Sequence, residues 1–194
     1  MDIRISGRGD IPSGEYEKIS VSGKGVLHGS VRAISFKSSG TVRGESIECK
    51  DVLKVSGRAS FLGNVKSGEF SAAGTFKTDG SIEADSVKVS GVLKCKGAIT
   101  SKDVKISTEL TTTVGEIKGE SIVIKRKRLS VMKRKTVVSS EINGDTVSLS
   151  YVECPVVTAK NVVVGRGCKI GIVRYGEEIK ISKGAKVGKI EKIY

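Results

Sequence analysis

The amino-acid sequence predicts an all-β, single-domain fold: a three-sided, right-handed parallel β-helix with about 17 residues in each coil. Three observations predict it. Apolar residues recur every 17 positions, glycines recur at the same spacing, and short β-branched runs take the place of long helical patterns. The apolar residues are Ile19, Phe36, Leu53, Phe70, Val87 and Val104, and the glycines are Gly23, Gly40, Gly57, Gly74 and Gly91. A fixed period of this length is typical of solenoids, in which one repeat makes one structural unit.

The composition agrees with one folded domain. The chain has 194 residues, with 24 glycines, two prolines and no tryptophan. Valine and isoleucine recur between the glycines, so the glycine content does not indicate disorder. The net charge of +13 favours polyanions as partners, and a well-solvated rod is the alternative interpretation of the same charge.

The first side of each coil is predicted as a short strand that ends at a glycine. Apolar and polar residues alternate in the segment that begins at Val87, so Val87 and Val89 are expected to face the core. The strand then ends at Gly91. We expect this glycine and its equivalents to provide a bend or a positive φ angle.

The second and third sides follow the same period. On the second side, each pair of inward positions combines a large residue with a small one, such as Phe61 with Ala59, which keeps the core volume constant from coil to coil. On the third side, Glu48 occupies an inward position. A one-residue bulge there would turn the neighbouring Ile47 to the inside.

The positions at which coils begin predict ten to eleven coils. They lie near residues 3, 19, 36, 53, 70, 87, 104, 122, 147, 162 and 179. At about 4.8 Å for each coil, the rod is on the order of 50 Å long. A right-handed coil is expected because crossovers between parallel strands are right-handed, and because the period is not the strict hexapeptide of left-handed β-helices.

One interruption breaks the period. The step from Ile122 to Val147 is 25 residues, which divides the chain into regular coils at 1–121, an irregular basic insertion at 122–146 and C-terminal coils at 147–194. The basic residues of the insertion are Lys125, Arg126, Lys127, Arg128, Lys133, Arg134 and Lys135. We predict that they contact anionic lipid or another polyanion, and a solvated hairpin is the alternative. Nucleic acid is disfavoured as a partner because no aromatic residue is interleaved.

The sequence has no recognisable catalytic pattern, and we predict a protein that is not an enzyme and uses no cofactor. His28 is the one histidine, so a histidine base has one candidate. The equivalent position in other coils holds Leu62, Asp79 and Lys96, and this variability indicates an outward or corner position.

The four cysteines do not have the spacing of a metal site. They are Cys49, Cys95, Cys154 and Cys168. Zinc sites need closely spaced cysteines and histidines, which are absent here, so no metal is expected. The separations between consecutive cysteines are not multiples of 17, and we therefore expect reduced thiols that do not stack in register.

The two ends of the predicted rod lack an obvious cap. Uncapped coils expose strand edges and a slice of the core, and end-to-end stacking would cover both. The residues expected at this interface are Ile3, Ile5, Ile190, Ile193 and Tyr194. The alternative is that Lys189 and Lys192 block addition and keep the protein monomeric.

Three segments together resemble the bactofilin family. They are the V-K-V-S-G coils, as at Val87 to Gly91, the G-R-G-C-K-I-G-I-V-R-Y segment at Gly165 to Tyr175, and I-S-K-G-A-K-V-G-K-I at Ile181 to Ile190. The chain is similar to the firmicute type of this family. The resemblance implies a right-handed β-helix that polymerises without nucleotide into cytoskeletal filaments and contributes to cell shape, motility or the placement of envelope proteins.

The expected partners follow from the filament hypothesis and the charge. They are other copies of the chain, envelope or motility proteins, and an anionic membrane surface. The N-terminal residues lack the apolar run of a signal peptide, and no apolar run approaches the length of a membrane span. We expect a cytoplasmic protein, and the basic insertion leaves contact with the inner face of the cell membrane open.

Overall fold

The computed structural model describes residues 1–108, 111–126 and 137–193, and these contain fifteen β-strands and no helix. The strands are β1 (Asp2–Ile5), β2 (Arg8–Ile11), β3 (Gly14–Val21), β4 (Lys24–Ser38), β5 (Thr41–Val55), β6 (Arg58–Phe61), β7 (Val65–Ala72), β8 (Thr75–Thr78), β9 (Ile82–Val89), β10 (Val92–Thr108), β11 (Thr112–Arg126), β12 (Val137–Leu149), β13 (Val152–Val164), β14 (Lys169–Ile181) and β15 (Lys186–Lys192). Every strand pair is parallel, and one continuous sheet runs from β1 to β15. The predicted all-β parallel solenoid is therefore confirmed.

The coils stack in register at the predicted starting positions. The residues that pair from coil to coil are Ile3, Ile19, Phe36, Leu53, Phe70, Val87, Val104, Ile122, Val147, Val162 and Ile179. These eleven positions mark about eleven coils, most of them 17 residues long. The right hand of the coil stays a prediction from the chirality of parallel crossovers.

Each coil has three short straight segments, and each segment points two side chains into the core. In one coil the buried pairs are Phe70 with Ala72, Phe76 with Thr78, and Ile82 with Ala84. We call these segments and their equivalents in other coils the first, second and third sides. Exposed or half-buried residues separate the pairs, because successive residues in a strand point to opposite faces.

The core is one column of apolar side chains that runs through the stacked coils. Most inward positions are fully buried, and burying a large apolar side chain stabilises the fold by about 1.5–3 kcal/mol. Phenylalanine rings pack directly on one another, both between neighbouring coils and within one coil. The ring centroids of Phe61 and Phe76 are 5.7 Å apart, and those of Phe70 and Phe76 are 4.8 Å apart at an interplanar angle of 88°.

The predicted bulge that turns Ile47 inward is confirmed, but its extra residue lies in the preceding coil, at the corner before the third side. Val31 pairs with Ile47, and Ile47 is buried while Glu48 faces solvent. The register shifts between Leu27 and Ser30, where the longer coil has one residue more than its neighbour. Gly29 lies within that shift and has a φ angle of +65°, a conformation that glycine adopts without strain.

The glycines of the first corner are required because the coils approach closely there. These glycines are expected from the sequence to provide either a bend or a positive φ angle. In the described chain the glycines with a positive φ angle lie at other positions, so the bend is the reason that remains. A Cβ atom on Gly57 would lie 2.0 Å from the carbonyl oxygen of Gly40 in the preceding coil, and a Cβ on Gly40 would lie 2.0 Å from that of Gly23. No side chain fits between two backbones at this distance.

The strands continue into both ends of the predicted insertion. β11 extends to Arg126, β12 begins at Val137, and the two strands pair from Thr112 with Val137 to Ile124 with Leu149. Only residues 127–136 of the interval 122–146 fall between these strands, and they lie outside the described residues. The insertion therefore comes in the chain after a first-side segment and before a second-side segment, where earlier coils have their glycine.

A first prediction concerns this glycine column. Gly57→Ala should destabilise the fold by about 3 kcal/mol or more, because its Cβ would force two backbones apart. Gly7→Ala is the matched control, since Gly7 occupies the same corner of the first coil and a Cβ there has nothing within 4 Å. Urea unfolding followed by circular dichroism measures both variants. Equal stability of the two variants would contradict the close-approach explanation.

A second prediction concerns a buried hydroxyl. The Oγ of Ser38 is buried and has no hydrogen-bond partner, while Val21 and Val55 occupy the equivalent positions of the adjacent coils. Ser38→Val should raise the free energy of unfolding by about 1–2 kcal/mol, because it removes an unsatisfied polar group and adds apolar burial. Ser38→Ala separates the two contributions, since it removes only the hydroxyl. A loss of stability in both variants, measured by urea unfolding, would show that the hydroxyl is satisfied.

Candidate self-assembly ends and basic insertion

The last coil leaves apolar side chains exposed at inward positions. Ile181 and Ile190 are 40% and 50% exposed, whereas Val164 and Val173, their partners one coil earlier, are fully buried. Ile179 and Val187 complete this surface and are half-buried. In the described chain no further coil packs on these side chains. We call this group of four residues the C-terminal end surface.

The C-terminal end surface lies beside a strand edge without a described partner. β15 pairs with β14 on one side, and the last residues of β14 pair with β13 on one side. Among the described residues, no strand pairs with the opposite edge of these segments. An exposed parallel edge next to apolar side chains is a template for another strand.

The first coil differs because its own side chains close much of its end. Ile5, Ile11 and Tyr16 are only 8%, 0% and 9% exposed, although β1 and β2 each pair with one strand of the next coil. The Tyr16 ring lies within 3.7 Å of the place that a Cβ on Gly14 would take. The Tyr16 hydroxyl donates a hydrogen bond to the carbonyl oxygen of Pro12 at 2.9 Å. The two ends of the described rod are therefore unequal.

The predicted interface residues fall into three groups. Ile190 is exposed, as expected for a contact residue, and Ile3 and Ile193 are half-buried. Ile5 is buried within the first coil. Tyr194 lies outside the described residues.

Sequence reasoning missed the largest part of the C-terminal end surface. Ile179 was identified as a coil start, but its neighbour Ile181 was not assigned to the end. The signal was available, because Ile181 lies 17 residues after Val164 and repeats its inward position.

The basic insertion borders the corner between the first and second sides. Lys125 is exposed and pairs in the ladder with Ser107. The guanidinium carbon of Arg126 lies 5.0 Å from the centroid of the Tyr151 ring, a cation–π distance. The remaining predicted contact residues lie outside the described residues; they are Lys127, Arg128, Lys133, Arg134 and Lys135.

The four cysteines are free and buried in the core. Burial raises the pKa of Cys49 to about 12 and that of Cys95 and Cys154 to about 11, because an ionised thiol loses its hydration there. The pKa of Cys168 is raised for the same reason. The expectation that no cysteines share a position in the repeat is wrong for Cys95 and Cys154, which occupy one column with two coils between them.

A third prediction concerns these thiols. In the folded protein at pH 8, alkylation by iodoacetamide should be at least about 100-fold slower than in the urea-unfolded chain, because a pKa raised from 9.0 to about 11 lowers the thiolate fraction by that factor. The stability that the neutral thiols contribute should be present below pH 9.0 and be lost as the pH rises toward about 11. Mass spectrometry of the alkylated protein measures the rates. Rapid labelling of a folded-state cysteine would contradict the burial.

The candidate histidine and the clustering of acidic and cysteine side chains bear on the sequence predictions for chemistry. No group of three or more histidine, cysteine, aspartate or glutamate side chains in the described part of the chain could hold a metal ion. His28 is exposed, as predicted, and its Nε2 lies 3.2 Å from Oδ1 of Asp10. Among the described residues, no helix is long and apolar enough to cross a membrane.

Comparisons with known proteins give one partial match. The chain is 37% identical over 82 residues to the uncharacterized protein YhbF of Bacillus subtilis (strain 168), and this region covers 41% of the chain. The match spans 34% of the length of YhbF, about a third of that relative. No family model matches the chain, and no solved structure matches it.

Proposed function

We propose that this protein is a structural cytoskeletal protein of the bactofilin kind that self-assembles end to end into filaments. The filaments form without nucleotide and serve as a scaffold for cell shape, motility or envelope-related proteins. The observation that carries the proposal is the C-terminal end surface beside its unpartnered strand edge. The resemblance of the coil segments to bactofilins supports the same function.

End-to-end stacking satisfies both features of that end at once. Another copy that adds a coil there continues the parallel hydrogen-bond ladder and covers Ile181 and Ile190. Because the contact lies on the axis of the rod, it repeats without closing into a ring, and open contacts of this kind generate filaments.

The positive charge of Lys189 at the C-terminal end is balanced by a neighbouring carboxylate. The Nζ of Lys189 lies 2.6 Å from a carboxylate oxygen of Glu191, and the same carboxylate accepts a hydrogen bond from Nε of Arg174 at 2.9 Å. These cations hold the pKa of Glu191 below its usual range, so the carboxylate remains ionised beside Lys189. The alternative in which Lys189 blocks addition is weakened by this ion pair.

A fourth prediction tests the filament. The Ile181→Lys/Ile190→Lys variant should raise the critical concentration for assembly by roughly tenfold or more, because stacking would bury two charges in place of apolar surface. Sedimentation and negative-stain electron microscopy at low and high salt, without nucleotide, measure assembly of the full chain. Circular dichroism shows whether the last coils stay folded.

The matched control is Val163→Lys. Val163 is exposed to the same 40% as Ile181, but it lies one coil earlier and points outward from the first side instead of toward the stacking surface. This control should assemble like the wild-type protein. A wild-type protein that stays monomeric at all salt concentrations, or a control that fails to assemble as severely as the end variant, would overturn the proposal.

A further inference from the structure

The outward positions of the second side form a basic strip along the first six coils. They come from residues 8–11, 24–27, 41–44, 58–61, 75–78 and 92–95, which pair in register from coil to coil. The cations on this strip are Arg8, Lys24, Arg43, Arg58, Lys77 and Lys94, and all six are exposed. We call it the basic face. Asp10 is its single carboxylate, and Asp10 pairs with His28.

The positive charges of the basic face are not compensated within the described chain. None of its six cations forms an ion pair with a carboxylate of the described residues. Two directly opposed pairs of neighbouring coils, Arg8 with Lys24 and Lys77 with Lys94, have the same sign. Like charges placed opposite one another destabilise a sheet, so an anion bound to this face would relieve the repulsion.

The third side of the same coils shows the opposite arrangement. Its outward positions alternate in sign from coil to coil through Glu15, Arg32, Glu48, Lys66 and Glu83. Inter-coil ion pairs of 3.1 to 3.5 Å connect these side chains. The excess of one sign on the second side is therefore not shared by the third side, where the charges compensate one another.

The shape of the basic face fits an extended anionic surface. Six stacked coils span about 24 Å along the axis, and the strands of one side form a nearly flat strip. The outward positions of this strip carry no aromatic side chain for stacking on bases, which disfavours single-stranded nucleic acid. Long flexible lysine and arginine side chains suit phosphate headgroups spread over a plane.

We propose that the basic face docks the rod side-on against an anionic lipid bilayer, with its six cations against the headgroups. This contact is independent of end-to-end assembly, because it uses an outward side of the coils and leaves both ends free. A filament aligned this way presents one basic face for each subunit to the same membrane, and the repeated weak contacts add through avidity.

A fifth prediction tests this docking with the full-length chain. Vesicle flotation compares phosphatidylcholine vesicles with and without phosphatidylglycerol, which separates lipid binding from sedimentation of filaments. The Lys77→Thr/Lys94→Thr variant should bind the anionic vesicles about 25-fold more weakly, at roughly fivefold for each charge removed. Threonine is already present at outward positions of this side, at Thr41 and Thr75, so the strands tolerate it.

The control variant removes the same net charge from the third side. Arg32→Thr/Lys66→Thr should bind vesicles within a few-fold of wild type, and both variants keep residues 125–135 unchanged. Thermal unfolding verifies that both variants fold; the basic-face variant should be at least as stable as wild type. Vesicle binding that is absent in wild type, that falls equally in both variants, or that is weaker than binding to a short DNA duplex in the same low-salt buffer would overturn the proposal.

Discussion

Parallel stacking of each coil on the next, at the spacing of a β-ladder, is the constraint on which the rest of the structure depends. Every coil must offer its backbone donors and acceptors in register with its neighbours, about 4.8 Å above and below. This spacing explains the glycine column, because a Cβ at Gly57 would meet the carbonyl oxygen of Gly40. It also explains the register shift between Leu27 and Ser30, since a coil with one residue more at this corner must return to register before the third side.

The same constraint determines what the core accepts. A narrow column of constant width cannot hold two large residues at every position, so the inward pairs on the second side, such as Ala59 with Phe61, combine a small residue with a large one. Small polar residues and cysteines fill the remaining places. The Ser101 hydroxyl donates hydrogen bonds to the carbonyl oxygens of Asp85 and Asp103, whereas the buried Ser38 hydroxyl has no hydrogen-bond partner. The buried cysteines act as small apolar side chains because burial keeps their thiols protonated.

The surface is free of this constraint, and the features that distinguish this rod are therefore found there. Outward residues only need to be compatible with a β-strand, so the pattern of their charges can differ from one side of the rod to another. On the third side the charges alternate and pair, as between Arg32 and Glu48, and on the second side they repeat with one sign. The ends are a separate feature, because stacking leaves one unpaired edge wherever it stops. The proposed self-assembly and the proposed membrane docking would thus use different surfaces of one rod.

The sequence by itself determined the repeat, the coil starts and the bulge, because in a parallel solenoid one period of sequence maps onto one level of the stack. The pairing of Ile19 with Phe36 could be read from their spacing alone. Tertiary structure decided what depends on distances between coils: why Gly57 must be glycine, why Ile5 is buried while Ile190 is exposed, and which cations share a face. The coils after Val104 differ in length, so the column that Cys95 shares with Cys154 does not follow from a multiple of 17.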